Sequence, residues 1–344
     1  MRILATTLAL ATAAAAFTLL VVLVQVRLLR RRREQGRERL ASRLRPVIVR
    51  LLASDDEVDV PNLSRTEAPA FEVLASEFLT KVRGESRDRL ATLFVRSGAV
   101  EAAERRCRAR DSSHRAAAVD FLGAVGRGDS APAIRPLLRD RSLEVRIATA
   151  RAVGRIGDAS DVPRLLARLE GDRPVPFTTV ADSLTHIGPS AVPALRTGLR
   201  APELLARAVS AEVLGLLGAV DATEDLLAHL HPVEDYEVRI RCARALGRIG
   251  TPRAVEQLAR LLSPAEPAGL RAVAVRSLGR LGAPAVVPTL VAALDDDVDL
   301  VARNVAEALV ACGERGVAAL RQRRSGPGTG AAYATEALAR AALA

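Results

Sequence analysis

The chain has 344 residues, 50 Lys plus Arg against 40 Asp plus Glu for a net charge of +10, 49% hydrophobic residues, and 2% aromatic residues with no Trp. This length holds two average domains or one elongated array; 23 Gly with 18 Pro exclude a collagen-like or low-complexity chain, and the apolar share excludes disorder throughout. Three cysteines, Cys107, Cys242 and Cys312, are too few for a disulfide framework and match no zinc or CxxC spacing.

The first element is the apolar run from Ile3 to Val26, which carries no ionised side chain. A helix of 24 residues at about 1.5 Å per residue spans roughly 36 Å, enough to cross a hydrocarbon core of roughly 30 Å. Residues 1–28 are therefore expected to form a transmembrane anchor. The alanine-rich stretch ALATAAAAF also fits the cleavage region of a signal peptide, but the apolar run continues beyond it, and the positive charge follows the apolar segment instead of preceding it. Between Met1 and Arg45 lie ten arginines and two acids, so +8 of the net +10 sits here and the remaining 299 residues carry only +2. The charge bias places the C-terminal body on the cytoplasmic side of the inner cell membrane, on a single-pass topology. Arg30, Arg31, Arg32 and Arg33 are then positioned to meet anionic lipid headgroups. Residues 29–70 read as an Arg-rich juxtamembrane helix, from about Arg37 to Ala53, followed by a polar, proline-containing linker; residues 71–344 read as one repeat domain.

That domain is periodic. A glycine closes an apolar helical segment at Gly126, Gly157, Gly188, Gly218, Gly250, Gly282 and Gly313, at successive spacings of 31, 31, 30, 32, 32 and 31. Four residues before it stand Leu122, Val153, Leu184, Leu214, Leu246, Leu278 and Leu309, and eight before it stand Ala118, Thr149, Val180, Ser210, Cys242, Ala274 and Val305. With Val, Ile, Leu or Cys one residue before the glycine, these columns share one face of an amphipathic helix of about twelve residues, which the glycine ends in a left-handed cap. Gly123, Gly154, Gly215, Gly247 and Gly279 lie inside the helices, where glycine costs up to about 1 kcal/mol, so another backbone is expected to approach there. Shorter apolar segments such as VPRLLARL, VPALRTGL, AVEQLARLL and VVPTLVAAL lie between, several with proline near the start. Each repeat is thus a pair of antiparallel helices, and the fold class is all-α. SGPGTG, from Ser325 to Gly330, reads as a flexible hinge before a last helix, Ala331 to Leu343, that caps the stack.

The period, the glycine after LGRIG or LGRLG, and the Val145-Arg146 and Val238-Arg239 pairs that open second helices resemble HEAT-like repeats, in the short class also found in phycobilin lyases. The resemblance covers Ser86 to Gly313. It implies a right-handed α-solenoid of seven to eight helix pairs, here preceded by one transmembrane helix, with an Asp-Arg ladder holding neighbouring repeats in register. It identifies the fold and leaves function to particular residues.

Two charged columns stand out. Arginine recurs in the first turn of the second helix at Arg87, Arg115, Arg146, Arg207, Arg239 and Arg271, where a cation opposes the helix dipole and calls for a nearby carboxylate. Candidates are Asp140, Asp172, Asp235 and the run Asp295, Asp296, Asp297. On the face opposite the core, six residues before the glycine, stand Asp120, Arg151, Asp182, Glu212, Arg244, Arg276 and Glu307. Lateral ion pairs would account for this column: Arg151 with Asp120 and Asp182, Glu212 with Arg244, Arg276 with Glu307. They do not account for two adjacent helices that each carry Arg at i and i+4. Arg244, Arg248, Arg276 and Arg280 are therefore the candidate docking patch for an acidic segment of a membrane-associated protein partner.

Chemistry is sparse. The four histidines form no His-Glu pair of the kind that binds di-iron in deoxyhypusine hydroxylase, and His229 and His231 are two apart and cannot share a helix face. Cys107 has arginine neighbours that could lower its pKa. GRGDS, from Gly126 to Ser130, falls on a turn after a repeat glycine. Two tyrosines, no Trp and a near-neutral body argue against nucleic acid. No residue is assigned to catalysis, cofactor or metal. The expectation is a membrane-anchored HEAT-repeat scaffold for protein docking at the cytoplasmic face. The alternative is an enzyme or enzyme subunit related to phycobilin lyases, binding a tetrapyrrole-like ligand in the concave groove.

Overall fold

The computed structural model describes Ser42, residues 68–282 and residues 284–343. The anchor expected at 1–28, the Arg30–Arg33 block and nearly all of the juxtamembrane helix lie outside these residues. Every regular element among the described residues is helical, and none of the helices is long and apolar enough to cross a membrane. The described residues divide into two compact units, one ending at Val125 and one beginning at Gly126.

In the first unit, α1 (Ala68–Lys81), α2 (Glu85–Arg96), α3 (Ala99–Arg106) and α4 (Ser112–Val125) enclose an aromatic centre. Phe94 lies edge-on to Phe71 at 5.6 Å and to Phe121 at 5.4 Å, the geometry that aromatic quadrupoles favour. Glu72 is fully buried beside them and accepts a hydrogen bond from Arg106 Nε at 2.7 Å. Burial raises its pKa against the opposing pull of Arg106. Arg87 donates to the Ala124 carbonyl at 2.9 Å, satisfying one of the orphan acceptors at the end of α4.

The second unit repeats one plan. Short first helices, α5 (Ala131–Ile134), α7 (Val162–Leu166), α9 (Val192–Gly198), α11 (Thr223–Ala228), α13 (Pro252–Arg260) and α15 (Val287–Ala292), alternate with longer second helices, α6 (Leu143–Ile156), α8 (Phe177–Ile187), α10 (Leu204–Leu216), α12 (Tyr236–Ile249), α14 (Ala268–Leu281) and α16 (Asp299–Ala311). Two of the first helices end before their apolar segments do: VPRLLARL is α-helical only to Leu166, and in VVPTLVAAL the helix gives way after Ala292 to the 3₁₀ turn Ala293–Asp295. α17 (Glu314–Arg324) and α18 (Gly330–Ala341) close the unit.

The columns four and eight residues before the repeat glycine are fully buried in every second helix of this unit, from Thr149 and Val153 to Val305 and Leu309. All seven closing glycines have positive φ, between 59° and 81°. Gly157 and Gly250 adopt the left-handed cap, whereas Gly188 and Gly313 pair a positive φ with extended ψ. The helix-interior glycines mark close approach between successive second helices. A Cβ on Gly154 would lie 2.7 Å from Ser183 Cα, one on Gly215 2.5 Å from Ala245 Cα, and one on Gly247 2.3 Å from Ser277 Cβ. At α8 the equivalent position is Thr185, and α8 and α10 share the sparsest interface of any two consecutive second helices in the unit.

The segment from Ser325 to Gly330 is not a free hinge. Asp295 Oδ1 accepts from the Gly330 amide at 2.9 Å, and Arg323 bonds both Asp295 and the Pro327 carbonyl. Side-chain hydrogen bonds of this kind fix a glycine-rich stretch that composition alone marks as flexible.

Candidate functional site

The core stripe fixes which way each second helix faces. Because Cys242 and Leu246 are buried on one side of α12, residues six and two before the glycine point away from the core, at i and i+4. In the second unit these are Arg151 and Arg155 on α6, Asp182 and His186 on α8, Glu212 and Leu216 on α10, Arg244 and Arg248 on α12, Arg276 and Arg280 on α14, and Glu307 and Ala311 on α16.

Two of the four patch arginines are engaged. Glu212, nearly buried, accepts from Arg248 Nη1 at 2.7 Å and from Arg241 Nη1 at 3.3 Å, with Arg244 Nη1 at 3.6 Å. Burial pushes the Glu212 carboxyl up, but the hydrogen bonds and charges of Arg248 and then Arg241 outweigh it, and the group is held below the ordinary carboxylate range. Arg241 also bonds Glu237 at 2.7 Å and stands over the Phe177 ring, 5.0 Å from its centroid. Sequence reasoning missed Arg241. The available signal was the spacing of 241, 244 and 248, which puts three cations on the side of α12 that meets α10.

Arg276 and Arg280 are exposed, and neither has a carboxylate partner among the described residues. The expected pair of Arg276 with Glu307 is absent: Glu307 accepts instead from Arg340 of α18, at 3.3 Å. Arg151 and Asp182, both exposed, likewise form no ion pair with each other. Leu216 is 49% exposed, one turn beyond Glu212.

The first-turn arginines turn chiefly to backbone carbonyls. Arg115 Nη1 bonds the carbonyls of Ala109 and Arg110, Arg146 Nη1 those of Asp140 and Arg141, and Arg207 Nη1 those of Ala201 and Pro202. The compensating carboxylates come mostly from the following repeat. Arg207 meets Glu234 at 3.3 Å, Arg239 meets Glu266 at 2.7 Å, and Arg271 meets Asp296 and Asp297, each at 2.7 Å. Asp235 instead caps α12 through the Glu237 amide, and Asp140 accepts from the Ser142 amide. A second ladder joins the first helices: Arg135 bonds Asp158 and the fully buried Asp161, and Arg196 and Arg200 both bond Asp225.

Cys107 is buried, and its arginine neighbours do not activate it. Burial, then the charges of Glu72 and Glu104, push its thiol up to about 12. His229 bonds Glu234 at 2.5 Å at the end of α11, and His231 lies in the turn beyond. No group of three or more His, Cys, Asp or Glu among the described residues is arranged to hold a metal ion.

The family model for HEAT repeats matches residues 100–184, 223–311 and 266–339. These segments cover more than half of the chain, which belongs to the HEAT-repeat family. None of the curated proteins compared with it matches it significantly. Similar solved structures include importin beta in an ammonium sulfate condition, 13% identical over 76% of this chain and 43% of that one with a TM-score of 0.48. Another is human deoxyhypusine hydroxylase in complex with glycerol, 20% identical over 72% of this chain and 97% of that one, TM-score 0.32. A third is the CpcE and CpcF complex of phycocyanin lyase from Nostoc sp. PCC7120, 20% identical over 84% and 98%, TM-score 0.27.

Proposed function

We propose that the chain is a membrane-anchored HEAT-repeat scaffold that docks an acidic segment of a membrane-associated protein through the exposed face of α12 and α14. The observation that carries this reading is the pair Arg276 and Arg280, exposed at i and i+4 with no carboxylate partner among the described residues. Arg244 and Arg248 stand on the helix before them and contribute positive potential, partly offset by Glu212. Guanidinium groups one turn apart suit paired contacts to carboxylates. The apolar run Ile3–Val26 and the arginines at 30–33 support anchoring at the inner membrane with the repeats in the cytoplasm. Anchoring would confine the array beside the bilayer and raise its effective concentration for partners held there.

The test uses the full-length chain in detergent and a labelled ten-residue glutamate-rich peptide. Saturable, salt-sensitive binding is expected, with R276Q/R280Q weakening it about tenfold, a difference of about 1.4 kcal/mol. Equal binding by the variant, with unchanged thermal unfolding, overturns the docking role. Purified protein that carries a bound chromophore points instead to a tetrapyrrole-type ligand. A reporter active only in the cytoplasm, fused after Ala344, should be active; a stable but inactive fusion reverses the topology.

A further inference from the structure

The first helices carry arginine pairs of their own. Arg135 and Arg139 sit four apart on the 3₁₀ turn Arg135–Arg139, and Arg164 and Arg168 sit four apart at α7 and its end. All four line one cleft of about 580 Å³, walled by Pro136, Leu138, Pro163 and Ala167, and the lining includes no acid. The inner pair is neutralised from behind. Asp161, fully buried, bonds Arg135 Nε at 2.8 Å and Arg164 Nη1 at 3.1 Å, and Asp158 takes a further bond from Arg135 at 2.8 Å.

The outer pair is not. The guanidinium groups of Arg139 and Arg168 have no hydrogen-bond or ion-pair partner among the described residues. Arg173 adds a further guanidinium nearby by bonding the Arg139 carbonyl at 3.3 Å. Of the acids close in sequence, Glu170 accepts from the Leu205 amide and Asp140 from the Ser142 amide. Burial and the charge of Arg139 hold the Arg168 guanidinium below its ordinary pKa. Arginine keeps its proton at such a position, so the two guanidinium groups remain a charged pair available to an anion.

The geometry points to a phosphate-binding site in this cleft, with Arg139 and Arg168 gripping a phosphate monoester and the proline and leucine walls receiving the organic group that bears it. A cleft of this size falls within the range of small-molecule sites and is larger than a bare phosphate requires. The planar guanidinium offers paired donors to two phosphate oxygens, which a single-point cation does not. Asp161 fixes Arg135 and Arg164 as a second, pre-positioned tier of donors.

The phosphate could arrive on a soluble metabolite or on a lipid headgroup, and two arms separate these sources. Full-length protein in detergent is titrated with glycerol 3-phosphate by calorimetry. The same protein is also titrated, still in detergent, with a short-chain soluble phosphatidate against the matching phosphatidylcholine. Saturable binding in the first arm identifies a soluble ligand; phosphatidate-dependent binding in the second alone identifies a lipid. In either arm R139Q/R168Q should weaken binding at least tenfold, while R321Q, at an exposed arginine of α17, leaves it unchanged. Thermal unfolding of the double variant should be unchanged or raised, because like-charge crowding is removed. Absence of saturable binding in both arms, or equal binding by R139Q/R168Q, overturns the site.

Discussion

Arg244 and Arg248 on α12 and Arg276 and Arg280 on α14 share spacing, helix face and place in the repeat, yet only the first pair is held by a carboxylate. The cause is the neighbour on the preceding helix. For α12 the residue six before the repeat glycine is Glu212, and for α14 it is Arg244 itself. On the following side Glu307 is taken by Arg340. A charge in a repeating array is therefore defined by the charge one repeat away. Identical local motifs acquire different roles when that neighbour changes sign.

Removing the neighbour should break the distinction, with the largest effect. Glu212→Leu strands Arg244 and Arg248 in partly buried positions, leaves Arg241 with Glu237 alone, and should destabilise by about 2–4 kcal/mol in urea unfolding at neutral pH. Because the Glu212 carboxyl is held below its ordinary value, its contribution is present above the unfolded carboxylate pKa and lost as pH falls through the lowered folded one. The stability gap between wild type and Glu212→Gln should therefore close on acidification; a gap independent of pH removes the ionic account. The spacing that sets the two arginine pairs side by side is tested next. Gly247→Ala places a methyl against Ser277 Cβ and should cost about 1–3 kcal/mol by overpacking, even though alanine gains up to about 1 kcal/mol of helix propensity. A neutral or stabilising result would mean that α12 and α14 separate without cost. The smallest effect should come from the exposed pair. R276Q/R280Q should change unfolding free energy by no more than about 0.5 kcal/mol, whereas Arg248→Gln should cost about 1–2 kcal/mol. Equal costs would erase the difference between the pairs.

The repeat itself was legible because its signals are local: a glycine where positive φ is needed, a leucine four residues earlier, a small residue where helices touch. The ion pairs were half legible. Arg115 and Arg146 turn to backbone carbonyls, which leave no mark in a sequence, and Asp161 lies within a short 3₁₀ turn where no helical period reveals its burial. Glu307 found its partner on a terminal helix outside the repeat frame. For Cys107 the flanking arginines suggested activation, but burial and Glu72, far upstream, dominate.

Arg241 connects three repeats: Glu237 on its own helix, Glu212 on α10 and the Phe177 ring at the start of α8. It thereby bridges the joint between α8 and α10, where Thr185 replaces the glycine and the interface is thinnest. In mechanical terms it is a tie across the joint where successive second helices share least contact. A load applied to one end of the array meets a polar crosslink there in addition to the buried residues of α8 and α10, Leu184 and Leu214 among them.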